Sequence, residues 1–416
     1  MKIILPIAVL LIAFSCLTED SADPGKASTF IRYFNGGFDD QAQAFDETPD
    51  KGFIILATTQ ITDNNVTVQR SKIKLIKTDR YGNIEWQTLY PAFGSLPFDP
   101  SYYKGRGILV EKDIERIVTG YTIVGDSINQ NTGVSYLYIL QTDANGSHDP
   151  AINKSKSLVL DLNGISLANI EGQSITKASN GNYLVLGSRK NSSEDMILAE
   201  INKDDLSLEW LQDYGAGGAT NVTGLITHSN TIYWGGTVNR GTNTDIRFVL
   251  TTSNSATAID PLNVPDFNEE IGGIYFSAFG PRFHIVGTTD ENGSKDILYR
   301  QVSIEGGELQ FQDGTKRKII GNDATPEEGN AICTTSDGGL LIIGTTGLDD
   351  DKDYYLIKLN FLGEVVWSRI FGSDKADKGV SIMQSSDGSY VILGATNLGG
   401  LGSIMLMKTD SKGNIE

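Results

Sequence analysis

The sixteen residues from Pro91 to Arg106 hold the densest group of side chains suited to holding a ligand. Phe93, Phe98, Tyr102 and Tyr103 supply four rings and Arg106 a planar cation, a set that can stack on a sugar or grip a partner chain. The same rings could instead pack this loop onto its own scaffold. A second group is Asp349, Asp351 and Asp353, within the run Asp349-Asp350-Asp351-Lys352-Asp353. Hard cations want several oxygens from one short segment, so calcium is the one cofactor this run suggests. The run lacks the alternating ligands and turn glycine of an EF-hand loop. Catalytic signatures are missing: there is no G-x-S-x-G, H-E-x-x-H, Walker loop or Rossmann fingerprint. His148, His228 and His284 stand far apart in sequence. Acidic residues are abundant, so a carboxylate pair for glycan cleavage stays open, with no pair singled out.

What positions these residues is a repeat. Ser336-Asp337-Gly338-Gly339-Leu340-Leu341-Ile342-Ile343-Gly344-Thr345 returns as Ser386-Asp387-Gly388-Ser389-Tyr390-Val391-Ile392-Leu393-Gly394-Ala395. Each copy contains short apolar runs broken by Gly and Asp turns, a meander that cannot bury its faces alone. A period of roughly fifty residues with several strands per unit predicts a β-propeller. The end of the second strand of each copy is read at Ala57, Gly120, Gly187, Gly236, Gly287, Gly344 and Gly394. Seven such anchors predict seven four-stranded blades. Copies two and four are the most degenerate, and a count of six or eight stays open. Trp86, Trp210 and Trp367 recur near the end of a copy, with Phe311 a weaker equivalent.

Phe30-Ile31-Arg32-Tyr33-Phe34 reads like Trp367-Ser368-Arg369-Ile370-Phe371, the strand that the last copy lacks. An N-terminal strand closing the last blade would leave no open sheet edge. With strands A to D running outward from the axis, A–B turns such as Asp337-Gly338-Gly339 are short, and C–D turns mostly so. The longer connections are B–C (Gln60 to Ser71, Val124 to Ser135, Gly347 to Asp353) and D–A (Pro91 to Arg106, Thr257 to Glu270, Gly372 to Lys378). Both kinds open on one face of a propeller, which therefore is expected to carry function.

Residues 1–15 read as a secretory signal: Lys2, then an apolar run from Ile3 to Phe14, too short for a membrane span. Ser15-Cys16 resembles the lipobox of bacterial lipoproteins, which implies a lipid on Cys16 and an outer-membrane location, with surface exposure left open. Residues 16–27 are polar and read as a tether, and residues 28–416 as the propeller domain. A formal net charge of −18 argues against nucleic acid or an anionic lipid surface as a partner. The second cysteine, Cys333, sits in an apolar strand and reads as a small buried hydrophobe.

Asp79-Arg80-Tyr81-Gly82-Asn83-Ile84-Glu85-Trp86 and Asn360-Phe361-Leu362-Gly363-Glu364-Val365-Val366-Trp367 resemble the tryptophan-ending repeats of pyrroloquinoline-quinone-type propellers. That resemblance implies the fold and an envelope location. It also implies quinone-dependent dehydrogenases as relatives, whose stacking disulfide a lone Cys333 cannot supply. The expectation is therefore a monomeric, non-catalytic binding or scaffold propeller. It touches the membrane only through its lipid and presents its loop face to a glycan or another envelope protein. A glycan hydrolase or lyase, or a quinoprotein, with its site at the channel mouth is the competing expectation.

Overall fold

The structure, a computed structural model, describes residues 29–62, 69–91, 101–159, 164, 166–190, 194–214, 219–228, 231–252, 255–259, 267–277, 282–305, 308–311, 317–321, 325–348 and 350–415. Among these there is no helix; the chain forms seven antiparallel sheets arranged as the seven blades of a propeller. The innermost strands are Asp39–Glu47, Ser101–Lys112, Ile170–Lys177, Ala219–His228, Glu269–Ser277, Glu327–Thr334 and Lys378–Gln384. Six blades have four strands. In blade five both Glu308–Phe311 and Arg317–Ile320 pair with Asp296–Glu305, so its outer edge is split.

The ring closes as the sequence predicts. Phe30–Phe34 pairs antiparallel with Leu401–Thr409, from Phe30↔Lys408 to Phe34↔Ile404, and becomes the outer strand of blade seven. Phe30 and Phe34 are both buried, in a cluster with Val391, Leu393 and Leu406 of blade seven and Phe53, Ile55 and Ile76 of blade one. Seven such clusters occur, one at each junction between neighbouring blades. The core is thus a ring of blade-to-blade contacts, as expected of units too thin to bury a face alone.

The anchor positions hold in five blades, blade four is offset by one, with Gly235 rather than Gly236 facing the bulge at Thr223, and blade two needs a larger correction. In those five blades the anchor lies opposite a residue where the inner strand bulges, as Gly344 does opposite Gly329 and Gly394 opposite Gly379. In blade two that role falls to Gly125, opposite Gly105, while Gly120 pairs with Glu111 near the other end of the strand. A twelve-residue strand, Val118–Asn129, carries two candidate glycines, and apolar pattern alone does not choose between them.

A second repeated device pins the tight A–B turns. Lys77, Lys358 and Lys408 lie on third strands with buried side chains. Their ammonium groups reach the turn carboxylates of Asp50 at 2.8 Å, Asp337 at 2.9 Å and Asp387 at 2.6 Å. Burial raises the Asp337 carboxyl, but its bonds to Thr335 and Lys358 outweigh that and bring it down to about 2. Each turn also uses a left-handed residue, Lys51, Gly338 or Gly388. Cys333 is buried and unpaired, and burial pushes its thiol up to about 12, so it acts as a packing residue.

Candidate functional site

Where the seven inner strands surround the axis, one local irregularity sets the chemistry of the channel. In six of them a β-bulge inserts an extra residue directly after the position facing the anchor. The inserted residues are Gln43, Arg106, Gln173, Gly272, Asn330 and Val380, and all of them line the channel. A bulge turns one additional side chain out of the pleat, here toward the axis. Small residues flank it because inner strands crowd there: a Cβ at Gly272 would lie 1.9 Å from the Gly329 carbonyl oxygen.

At the face carrying the B–C and D–A connections, the channel widens into a recess of about 480 Å³ walled by blades one, five, six and seven. Its polar walls are Gln41, Gln43, Glu270, Glu328, Asn330 and Lys378. Glu328 receives Lys295 at 3.3 Å and Lys352 at 3.6 Å. Burial raises its carboxyl, but the ammonium groups of Lys295 and Lys352, with a weaker pull from Lys378, hold it below its ordinary range. Asn330 is oriented by a hydrogen bond that its side-chain N–H donates to the Thr345 hydroxyl at 2.9 Å.

Behind this wall lies a tier of buried carboxylates. Asp40 bonds Lys74 at 2.6 Å, and Glu269 takes Arg300 at 2.9 Å and Arg317 at 3.1 Å, while Arg317 also pairs with Glu291. Across the channel Arg106 bridges Asp126 at 3.2 Å and Glu171 at 3.3 Å, and Lys190 holds the other oxygen of Glu171 at 2.9 Å. The Asp126 side chain is fully enclosed. Burial raises its carboxyl, Glu171 adds to that and Arg106 opposes it, leaving it at about 7.

The sequence-predicted site residues fall into three groups. Phe93 and Phe98 lie outside the described residues, as does Asp349. Tyr102, Tyr103 and Arg106 were expected in a surface loop but belong to the inner strand Ser101–Lys112. That strand extends because its residues pair in register with Val118–Asn129 from Ser101 onward, which aromatic content did not reveal. Tyr103 packs edge-on against Tyr138 at 4.9 Å between blades one and two, so it is a core residue. Arg106 alone of the set reaches the channel. The loops expected at Val124 to Ser135 and Gly347 to Asp353 are likewise hairpin ends: strands run to Asn129 and from Ser135, and Leu348 pairs with Asp351. Asp351 and Asp353 sit two apart on one strand; burial, then Asp351 and Asp377, raise the Asp353 carboxyl. Among the described residues no three His, Cys, Asp or Glu side chains are grouped to hold a metal ion. His284 is buried against the Tyr299 hydroxyl at 2.9 Å.

What the anchors missed was a second repeated phrase, an acid followed by a bulge between small residues. It reads Asp40-Gln41-Ala42-Gln43-Ala44, Glu327-Glu328-Gly329-Asn330-Ala331 and Asp377-Lys378-Gly379-Val380-Ser381. The first residue is buried in each, and the second and fourth line the recess. Comparing the copies just upstream of their A–B turns would have exposed it.

No protein-family model matches the chain, and no curated protein matches it. Solved structures share its shape. A polysaccharide lyase, an ulvan lyase bound to -[GlcA(1-4)Rha3S]-, superposes with a TM-score of 0.56 at 11% identity over 91% of this chain and 96% of that one. Drosophila Semaphorin 2a superposes with a TM-score of 0.50 at 10% identity over 93% of this chain and 76% of that one. At such identities the likeness is one of fold. The class defined here is a seven-bladed β-propeller with a polar recess at its channel mouth.

Proposed function

We propose that this protein is a non-catalytic binding propeller of the cell envelope, held by a lipid on Cys16, that receives a hydroxyl-rich glycan at its channel mouth. One observation carries the reading. The recess of about 480 Å³ draws amide, carboxylate and ammonium groups from four blades onto one wall. Such mixed donors and acceptors suit hydroxyls, and a rigid ring holds them in place. A lyase or hydrolase is less well supported, because its general acid must hold a proton near neutral pH and touch the ligand. Asp126 meets the first demand but is fully enclosed, while Glu328 in the recess is held ionised.

A glycan array probed with the purified protein is expected to show saturable retention. Glu328→Gln, which removes one recess charge without changing shape, should then weaken it by roughly tenfold. Absence of any glycan ligand, with capture of an envelope protein in its place, would reject the glycan and favour a scaffold. The anchor has its own test: Cys16→Ala should move the protein from the membrane to the soluble fraction, and continued membrane association would refute it.

A further inference from the structure

The opposite face, with its tight A–B and C–D turns, carries one feature that recurs and one exception to it. The outer-strand tryptophans pack beneath the C–D turn of the following blade. A Cβ at Gly146 would lie 2.4 Å from the Trp86 ring, and one at Gly413 would lie 2.5 Å from Trp367. Gly146 is held there by its carbonyl, which accepts the Tyr90 hydroxyl. Trp210 is the third tryptophan of this row, on the outer strand Leu208–Asp213 of blade three. The blade that should cover it, blade four, has a shorter outer hairpin in which Thr252 pairs directly with Ser255. In blade one the equivalent connection runs from Thr78 to Ile84. A cavity of about 620 Å³ opens beside Trp210, which is half-buried in its wall, between blade three and the first two strands of blade four.

The same blade also inverts the turn clamp. Where blades one, six and seven use a third-strand lysine and a turn aspartate, blade three has Glu200 and the turn amides of Asn180 and Asn182. Both amides donate to one Glu200 oxygen, at 2.7 and 2.8 Å, and the Trp210 indole N–H donates to the other at 2.8 Å. Burial raises this carboxyl, but the bonds from Asn180, Asn182 and Trp210 outweigh it and keep it ionised. An oriented carboxylate with amide donors, beside an aromatic ring, thus lines an open cavity together with Leu184 and Ile232.

We propose that this cavity is a second binding site, on the short-turn face, for a neutral saccharide. A pyranose ring has an apolar C–H face that can lie on an indole, and an edge of hydroxyls that both donate and accept. Glu200 accepts from that edge; Asn180 and the Thr231 hydroxyl complete it. Charge narrows the class. An ionised carboxylate opposes an anionic sugar, and its bonds from Asn180, Asn182 and Trp210 fix it as an acceptor for hydroxyls. The site is independent of the channel recess, which lies on the other face.

The test is isothermal titration calorimetry of the intact protein with neutral cello-, malto-, xylo- and manno-oligosaccharides. At least one should bind, and Trp210→Ala should weaken it by roughly tenfold or more. Because Trp210 also packs against blade four, Glu200→Gln is the companion variant; it preserves shape and should weaken the same ligand comparably. Absence of binding across the panel overturns the proposal. Affinity unchanged in Glu200→Gln does so as well, and so does binding that is lost in Glu328→Gln, since the ligand would then occupy the channel recess.

Discussion

A chain lacking residues 1–34 should fail to form a stable ring. Phe30 and Phe34 are both buried at the junction of blades seven and one, and truncating one such phenylalanine costs about 3–5 kcal/mol. Losing both, with five backbone pairings, consumes most or all of the roughly 5–15 kcal/mol that stabilises a folded protein. The loss also bares the edge of Leu401–Thr409, a template for pairing with other chains. Far-UV circular dichroism should therefore show a broadened transition at much lower temperature, with increased aggregation. A synthetic peptide of residues 29–34 should restore part of the transition. A shortened chain that melts with the intact one would mean that blade seven is complete without its N-terminal strand.

The second large effect is a pH dependence with a definite sign. The Asp126 carboxyl is raised from 3.8 to about 7, first by burial and then by Glu171, against the pull of Arg106. A carboxyl raised on folding favours the folded state while protonated. Its contribution is complete below pH 3.8 and disappears as pH rises through about 7. The ceiling on that contribution is roughly 4 kcal/mol. Asp126→Asn, which cannot ionise, should escape the loss. Urea unfolding of both proteins across that window should show native stability falling relative to the variant as pH rises. Parallel curves would place the Asp126 titration outside the window. The turn carboxylates act oppositely: Asp337, brought down to about 2, contributes stability that is lost only in strong acid, and it is common to both proteins.

Much of the fold was legible because strands announce themselves twice. Leu340–Leu348 and Tyr390–Leu398 are apolar runs of matching length, and each begins after an Asp-Gly turn that only a tight hairpin requires. The closing strand was legible for a similar reason, since Phe30–Phe34 repeats the pattern of Val365–Phe371. Inner strands are quieter. They lie near the axis, where small and polar residues replace apolar ones, so Asp39–Glu47 carries little hydrophobic signal. The recess residues Gln41, Glu328 and Lys378 were missed for that reason, and Tyr102 to Arg106 passed for a loop. The cavity beside Trp210 was invisible for another reason: its walls come from separate strands of two neighbouring blades, so no single segment carries it as a motif.

The direction in which the closing strand runs gives the molecule an up and a down. Phe30 pairs with Lys408, whose ammonium group reaches the A–B turn at Asp387, so the chain enters the propeller at the short-turn face. The twelve residues 16–27, read from the sequence as a tether, could span at most about 40 Å if fully extended. If Cys16 holds a lipid, the propeller is attached from its short-turn face, the side opposite the channel mouth. The hollow beside Trp210 would then share its face with the point of attachment, while the recess at Glu328 lies on the far side.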